Sequence, residues 1–365
     1  KIFVLFWAGS FFTFLFLRKL GLGAISSLFG GLCVLTCCCL LTDLEHFVIV
    51  GVYVLTPLVL YFVEKTLREN KTVDYVWLSV TIALQGSVFF PQILLYSWLF
   101  WFGYLFVRLV AARQLHRLPK YFVFIGLGVA LIAPILLPGI EFATQCSRSE
   151  PSFEFASSWS YPPEECAYFF LRNPFGDWTN FANFTFKPAK EHIFYVGNMP
   201  TRYYIDYFGI PVFFLGLWMF RLFRDELVLR FFSWFALFSL LFSFGSYTAL
   251  FNPVFVVMVV VLVGFSIGAG MRRWIREKGL ANFLFWNGLL VVGVLFLFLF
   301  PLFKISYMVI PGVNLFRCPF RMSFLLTFCF FVLAAFGFQR LLDAFRKGDM
   351  LEIKGFLMLV GSVGG

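Results

Sequence analysis

Two arginines near the C-terminal end have the type and spacing most suited to chemistry. Arg317 and Arg321 stand four positions apart in the stretch LFRCPFRMSF, with Pro319 between them, just before a long apolar run. They would share one face of a helix, unless Pro319 keeps the segment irregular. Guanidinium groups bind phosphate with paired hydrogen bonds, most effectively where water is partly excluded. The pair therefore predicts a phosphate or pyrophosphate clamp; the alternative is two anchors that contact phospholipid head groups.

Carboxylates between two apolar runs form the second candidate group. Asp43 and Glu45, with His46 beside them, lie in the stretch TDLEHF. A carboxylate near a membrane-embedded phosphate could act as general base for an incoming hydroxyl, or could hold a divalent metal. The alternative is a solvated loop, which favours carboxylates anyway. Asp43 and Glu45 are therefore catalytic candidates. No residue is assigned to a metal site, because the sequence lacks Cys and His pairs at metal-ligand spacing.

The composition limits which elements could position these residues. Hydrophobic residues make up 61% of the 365 positions and charged residues only 13%, which is too apolar for a soluble domain of this size. The sequence therefore predicts an all-α, multi-pass membrane protein. The net charge of +10 is explained by basic cytoplasmic loops, so nucleic acid is not an expected partner.

Apolar runs give the predicted spans, because roughly 20 apolar residues cross a bilayer. These spans occupy residues 1–17, 20–41, 47–63, 75–91, 93–111, 121–140, 207–223, 231–250, 253–271, 281–303 and 323–341, with a further one from 355. The prediction is a helical bundle of about 11–12 spans. It divides into N-terminal helices (1–140), an extracytoplasmic loop domain (141–206) and C-terminal helices (207–365). The start at Lys1 and the end within GSVGG suggest a fragment of a longer polypeptide.

Lysine and arginine clusters orient this bundle. With the spans above, all of them fall on one face, which is then the cytoplasmic one. The clusters are Arg18/Lys19, Lys65/Arg68/Lys71, Arg108/Arg113/Arg117/Lys120, Arg221/Arg224/Arg230, Arg272/Arg273/Arg276/Lys278 and Arg340/Arg346/Lys347. The opposite, outer face receives Arg317 and Arg321, against the usual bias of basic residues.

Four segments, in order, resemble the YfhO family of bacterial multi-pass membrane proteins, which are similar to GT-C-type glycosyltransferases. They are FFPQILLY (Phe89 to Tyr96), with a Pro-Gln turn between two spans; ILLPGIEFATQCSR (Ile135 to Arg148); LRNPFGDW (Leu171 to Trp178) together with YFGIPVFFLGL (Tyr207 to Leu217); and Phe316 to Leu342, with its Arg-x-Pro-x-Arg start. Together they extend over most of the chain.

The resemblance implies an enzyme of the bacterial cytoplasmic membrane. Such an enzyme would take a polyprenyl-phosphate-linked sugar at the outer face and transfer it to a cell-envelope acceptor. Arg317, Arg321 and Arg148 match family motifs and are the expected contacts to the lipid phosphate. In GT-C proteins the general base is an Asp or Glu in the first outer loop, which we expect upstream of Lys1, so the catalytic residue stays unassigned.

Two other functions remain open. A transporter or lipid flippase would carry buried charges near mid-span and paired helix breaks. Gln85, Pro57 and Pro134 are the few irregularities of that kind. A non-catalytic subunit of a larger membrane complex is the other alternative. Membrane lipids are expected partners in every case.

Overall fold

A computed structural model describes residues 2–37, 40–41, 47–145, 152–169, 171, 207–221, 226–247 and 302–364. Within these ranges every regular element is a helix and no strand occurs. The all-α prediction is confirmed for this part of the chain.

The N-terminal half contains most of the described helices. They are α1 (Ile2–Leu20), α2 (Ala24–Leu35), α3 (Phe47–Glu69), α4 (Thr72–Ser87), α5 (Pro91–Ala111), α6 (Leu118–Leu131), α7 (Ala133–Gln145) and the single turn α8 (Phe153–Ala156). Helix α5 begins at Pro91, in the first turn, where the missing N–H would have had no helical partner. This proline fixes where the helix starts.

The C-terminal half adds α9 (Ile210–Arg221), α10 (Leu227–Ser243), α11 (Leu302–Val309), α12 (Ser323–Lys347) and α13 (Met350–Gly364). Helix α12 ends at Gly348, whose φ of 68° is the left-handed conformation typical of a glycine after a helix. A single 3₁₀ turn, Pro319–Met322, leads directly into α12.

Four helical stretches are apolar and long enough to cross a membrane. They are Phe3–Leu20, Phe47–Glu69, Pro91–Ala111 and Pro319–Lys347, and the total rises to five if one bent pair forms a single span. Ala24–Leu35, Ile210–Phe220 and Leu227–Ser243 are apolar but shorter. The span predicted at 253–271 lies outside the described residues, as do residues 281–301 of the span predicted at 281–303. The described helices are those of a multi-pass membrane protein.

The segment predicted as one span at 121–140 is bent. Leu115–Leu131 and Ala133–Phe142 meet at 72°. Pro134 explains the break, because it has no N–H with which to continue the hydrogen bonds of α6.

Helix α12 is the centre of the bundle. In the apolar part of the stretch Pro319–Lys347, 83% of the residues are buried, compared with 33% in the stretch Phe3–Leu20 of α1. It packs against α2, α9, α10 and α13. Helices α9 and α12 approach closely at Gly337, where an added Cβ would lie 2.8 Å from the carbonyl oxygen of Leu215. Only glycine allows this approach.

The helix ends form two distinct regions. Lys19 of α1 pairs with Glu69 of α3, and Arg108 of α5 pairs with Glu64 of α3. The side chain of Gln339, late in α12, accepts a hydrogen bond from the N–H of Gly23, just after α1. The C-terminal ends of α1, α3, α5 and α12 therefore lie together, and we call this region the basic end. The Lys and Arg clusters on these helices therefore lie on one face of the bundle, as predicted.

Candidate functional site

Arg317 and Arg321 line one cavity at the opposite end of the bundle from the basic end. The cavity has a volume of about 270 Å³. Three separate segments form its wall. They are residues 90–92 at the start of α5, residues 155 and 159 of the segment 152–169, which we call the outer segment, and residues 315–318 with 321 before α12. We call this the arginine cavity. The structure thus brings together the two arginines that the sequence singled out.

The two arginines reach the cavity through an irregular turn. Cys318, between them, has a φ of 68°, and the N–H of Arg321 donates to the Cys318 carbonyl at 3.1 Å. Pro319 disfavours the helical conformation at the residue before it. The alternative in which Pro319 keeps the segment irregular therefore holds, and a shared helix face does not explain how the arginines meet.

Arg317 lies against aromatic faces. Its guanidinium carbon is 4.9 Å from the centre of the Trp159 ring and 5.9 Å from that of Phe155. A ring face attracts the cation without using hydrogen-bond acceptors. Within the described residues no carboxylate pairs with Arg317. The N–H groups at the edge of this exposed guanidinium can therefore bind an anion.

Arg321 is half-buried and faces the cavity from the other side of the turn. Its guanidinium carbon lies 5.2 Å from the centre of the Phe90 ring and 5.9 Å from that of Phe320. Burial raises the pKa of the neighbouring Cys318 thiol, and the charges of Arg321 and Arg317 offset part of that increase. The thiol is therefore neutral at physiological pH and does not cancel the positive charge of the arginines.

Gln92 connects the start of α5 to this turn. Its Nε2 donates to the carbonyl oxygens of Arg317 and Cys318, the second at 3.2 Å, and lies 3.1 Å from the Tyr96 hydroxyl. The N–H of Cys318 donates to the Ser158 carbonyl at 3.1 Å. The turn is thus bonded on two sides, by α5 and by the outer segment.

Unusual backbone conformations concentrate around the arginine cavity. Cys318 and Trp159 line it with φ values of 68° and 61°, and Phe89, with a φ of 43°, directly precedes a lining residue. Phe89 also follows a helix end, that of α4, as do the other two described non-glycine residues with positive φ, Asn70 and Arg113. Strained backbone of this kind, at a cost of about 1–3 kcal/mol per residue, is typical of functional sites.

Three predicted site residues are not among those that the structure describes. Asp43, Glu45 and Arg148 fall outside the described residues, so their roles stay predictions. Within the described ranges no group of three or more His, Cys, Asp or Glu side chains could hold a metal ion.

Sequence reasoning missed Gln92, Phe155 and Trp159 as parts of the site. A glutamine at the start of an otherwise apolar helix could have indicated the first of them, because a buried amide needs partners. The two aromatic residues gave no such indication in a chain with 56 Phe and 10 Trp.

No family model, curated protein or solved structure matches this chain. The chemistry of the arginine cavity therefore has to be argued from its own residues. It contains one exposed and one half-buried guanidinium, and its other lining side chains are uncharged, an arrangement that can bind an anion.

Proposed function

We propose that this protein is a membrane glycosyltransferase of the bacterial cytoplasmic membrane. It binds a polyprenyl-phosphate-linked sugar at the extracytoplasmic face and transfers the sugar to a cell-envelope acceptor. The observation that carries the proposal is the arginine cavity, where two guanidinium groups face a pocket of about 270 Å³ away from the basic end. A GT-C-like bundle of about 11–12 spans is part of the proposal.

The arginines have a specific role in this reaction. When the bond between sugar and phosphate breaks, negative charge develops on the departing polyprenyl phosphate. Guanidinium groups placed in advance beside that phosphate stabilise the charge without further reorganisation. The general base would be a carboxylate of an outer loop, for which Asp43 and Glu45 are the candidates in this sequence.

Two of the segments that resemble the YfhO family support a shared site. Gln92 belongs to the Pro-Gln segment and Arg317 to the Arg-x-Pro-x-Arg segment, and they are hydrogen-bonded although 225 positions separate them. Motifs that meet at one cavity are better explained by a common site than by separate structural roles.

The polar groups in the middle of the bundle give less support to a transporter or lipid flippase than the arginine cavity gives to a glycosyltransferase. There the Gln85 Nε2 donates to the Val52 carbonyl, at 3.2 Å, and to hydroxyl groups of α3 and α5. These polar groups are bonded to one another, as in a structural network.

The test is a transfer assay with purified protein in proteoliposomes. Labelled polyprenyl-phosphate sugars are supplied together with isolated cell-envelope material as acceptor, and release of polyprenyl phosphate is measured for the wild type and for R317Q/R321Q. We expect the double variant to lose about a hundredfold in rate, the usual scale for removing such a stabilising group. R340Q is the matched control, since Arg340 pairs with Glu352 at the basic end. Unchanged release in the double variant, or lipid movement across the bilayer without sugar transfer, would contradict the proposal.

A further inference from the structure

We propose that Gln92 is a positioning residue that holds the Arg317–Cys318 turn so that both guanidinium groups face the cavity. The inference rests on the proposed function, because it assumes that the arginines bind a phosphate. Gln92 itself is 6% exposed and acts through the backbone of the turn.

The contacts of Gln92 are directed at the turn rather than at a ligand. Its amide nitrogen donates to two successive carbonyl oxygens, those of Arg317 and Cys318. An amide NH₂ has two hydrogens, which these two carbonyls share with a third acceptor, the Tyr96 hydroxyl at 3.1 Å. Two successive carbonyls fixed by one group set the direction of the peptide plane between them, and this determines where the Arg317 side chain leaves the backbone.

The turn needs such a hold because its conformation is unfavourable. Cys318 has a φ of 68° directly before Pro319, whereas a residue before proline prefers an extended backbone. Relaxation to that extended form would turn Arg317 away from Arg321. The bond from the Cys318 N–H to Ser158 opposes relaxation from the outer side, and Gln92 opposes it from within the bundle.

The residue type also suits a phosphate site. Glutamine supplies donors without a charge, so it neither competes with the arginines for the anion nor repels it. Its position in the first turn of α5 places it on a regular helix, which holds a side chain more exactly than a loop does.

The experiment compares Gln92→Met with Gln85→Met. Both glutamines are buried and donate to a backbone carbonyl, but Gln85 lies in the middle of the bundle, away from the cavity. Methionine keeps the size of the side chain and removes its donors. In nanodiscs we measure the affinity for polyprenyl phosphate and for neutral polyprenol, and hydrogen exchange of the backbone over residues 316–322.

We expect Gln92→Met to bind polyprenyl phosphate about tenfold more weakly, the effect of losing bonds to buried acceptors. Polyprenol binding should be unchanged, and exchange over residues 316–322 should be faster. Gln85→Met should change neither affinity nor exchange in that segment. If Gln92→Met does not fold, Gln92→Asn takes its place, because the shorter amide cannot reach both carbonyls.

The outcomes separate the two proposals. If R317Q/R321Q loses affinity for polyprenyl phosphate but Gln92→Met keeps it, the positioning role is wrong and the proposed function stands. If Gln92→Met weakens polyprenol binding equally, its effect is on the fold alone and the positioning role is again wrong. If the double arginine variant binds polyprenyl phosphate as the wild type does, the proposed function itself fails.

Discussion

Three basic side chains at the basic end have different partners from Arg317 at the arginine cavity. At the basic end, Lys19, Arg108 and Arg340 each pair with a carboxylate, the last at 3.0 Å through its Nε. At the arginine cavity, Arg317 stacks on an indole ring 4.9 Å away. A carboxylate occupies the hydrogen-bonding edge of a guanidinium, whereas a ring occupies only its face. Arg108 and Arg340 therefore stabilise the fold at one end of the bundle, whereas Arg317 keeps hydrogen-bonding groups that can bind an anion at the other end.

Glu64 shows how complete the pairing at the basic end is. It is fully buried and accepts hydrogen bonds from the Tyr104 hydroxyl at 2.6 Å, from Arg108 at 2.7 and 3.0 Å, and from Arg68 at 3.3 Å. A buried ion without partners would be costly. These charges therefore link α3 to α5 and are not available to a ligand.

The largest expected effect comes from breaking this cluster. Glu64→Ala leaves Arg108 and Arg68 without their common carboxylate, and we expect a loss of about 3–5 kcal/mol in the free energy of unfolding. Thermal and denaturant unfolding of the purified protein measure it. Polyprenyl phosphate binding by the folded fraction should not change.

Two variants serve as controls for Glu64→Ala. Glu69→Ala removes the partner of Lys19 and Lys71 in a more exposed pair, so its effect on stability should be much smaller. The double variant E64M/R108M removes the main ion pair and should be more stable than Glu64→Ala. Equal stability of Glu64→Ala and Glu69→Ala would contradict the structural role.

A smaller effect is expected where an aromatic face holds an arginine. Trp159→Ala removes the ring beneath Arg317, and we expect the affinity for polyprenyl phosphate to fall about fivefold, from a cation–π contribution of about 1 kcal/mol. Titration in nanodiscs measures the change. Trp159→Phe keeps a ring face and should retain most of the affinity. A loss of stability as large as that of Glu64→Ala would show that Trp159 serves the fold.

The smallest effect is expected at Phe90. Its ring lies 5.2 Å from the Arg321 guanidinium carbon, and Phe90→Leu removes the aromatic face while keeping an apolar side chain. We expect about twofold weaker binding of polyprenyl phosphate, at the lower limit of the cation–π range. The same titration checks it. A loss greater than that of Trp159→Ala would contradict the expected ranking of the two rings.

Features that depend on local composition could be predicted from the sequence, whereas features that depend on the path of the chain could not. Membrane helices follow from local composition, and the common end of Lys19, Arg108 and Arg340 follows from span counting. The 72° bend depends on how the chain continues after Pro134. The pairing of Glu64 with Arg108 could have been predicted, because an acidic residue within an apolar helix needs a basic partner.

The arginine cavity depends on contacts between distant segments, which no local pattern contains. The outer-segment ring of Trp159 and the amide of Gln92 meet the turn at Cys318 only in the folded bundle. Arg317 and Arg321 could be named from their type and spacing, but the left-handed residue between them could not, since cysteine rarely adopts that conformation.

The most direct test of the account is the lipid specificity of the two arginines. Binding of polyprenyl phosphate, polyprenol and phosphatidylglycerol is compared for the wild type, R317Q/R321Q and R340Q in nanodiscs. The account predicts saturable binding of polyprenyl phosphate in preference to both other lipids, about a hundredfold weaker binding in the double variant, and no change in R340Q. If polyprenyl phosphate and phosphatidylglycerol bind equally well and the double variant affects both alike, the arginines are head-group anchors and the account is wrong.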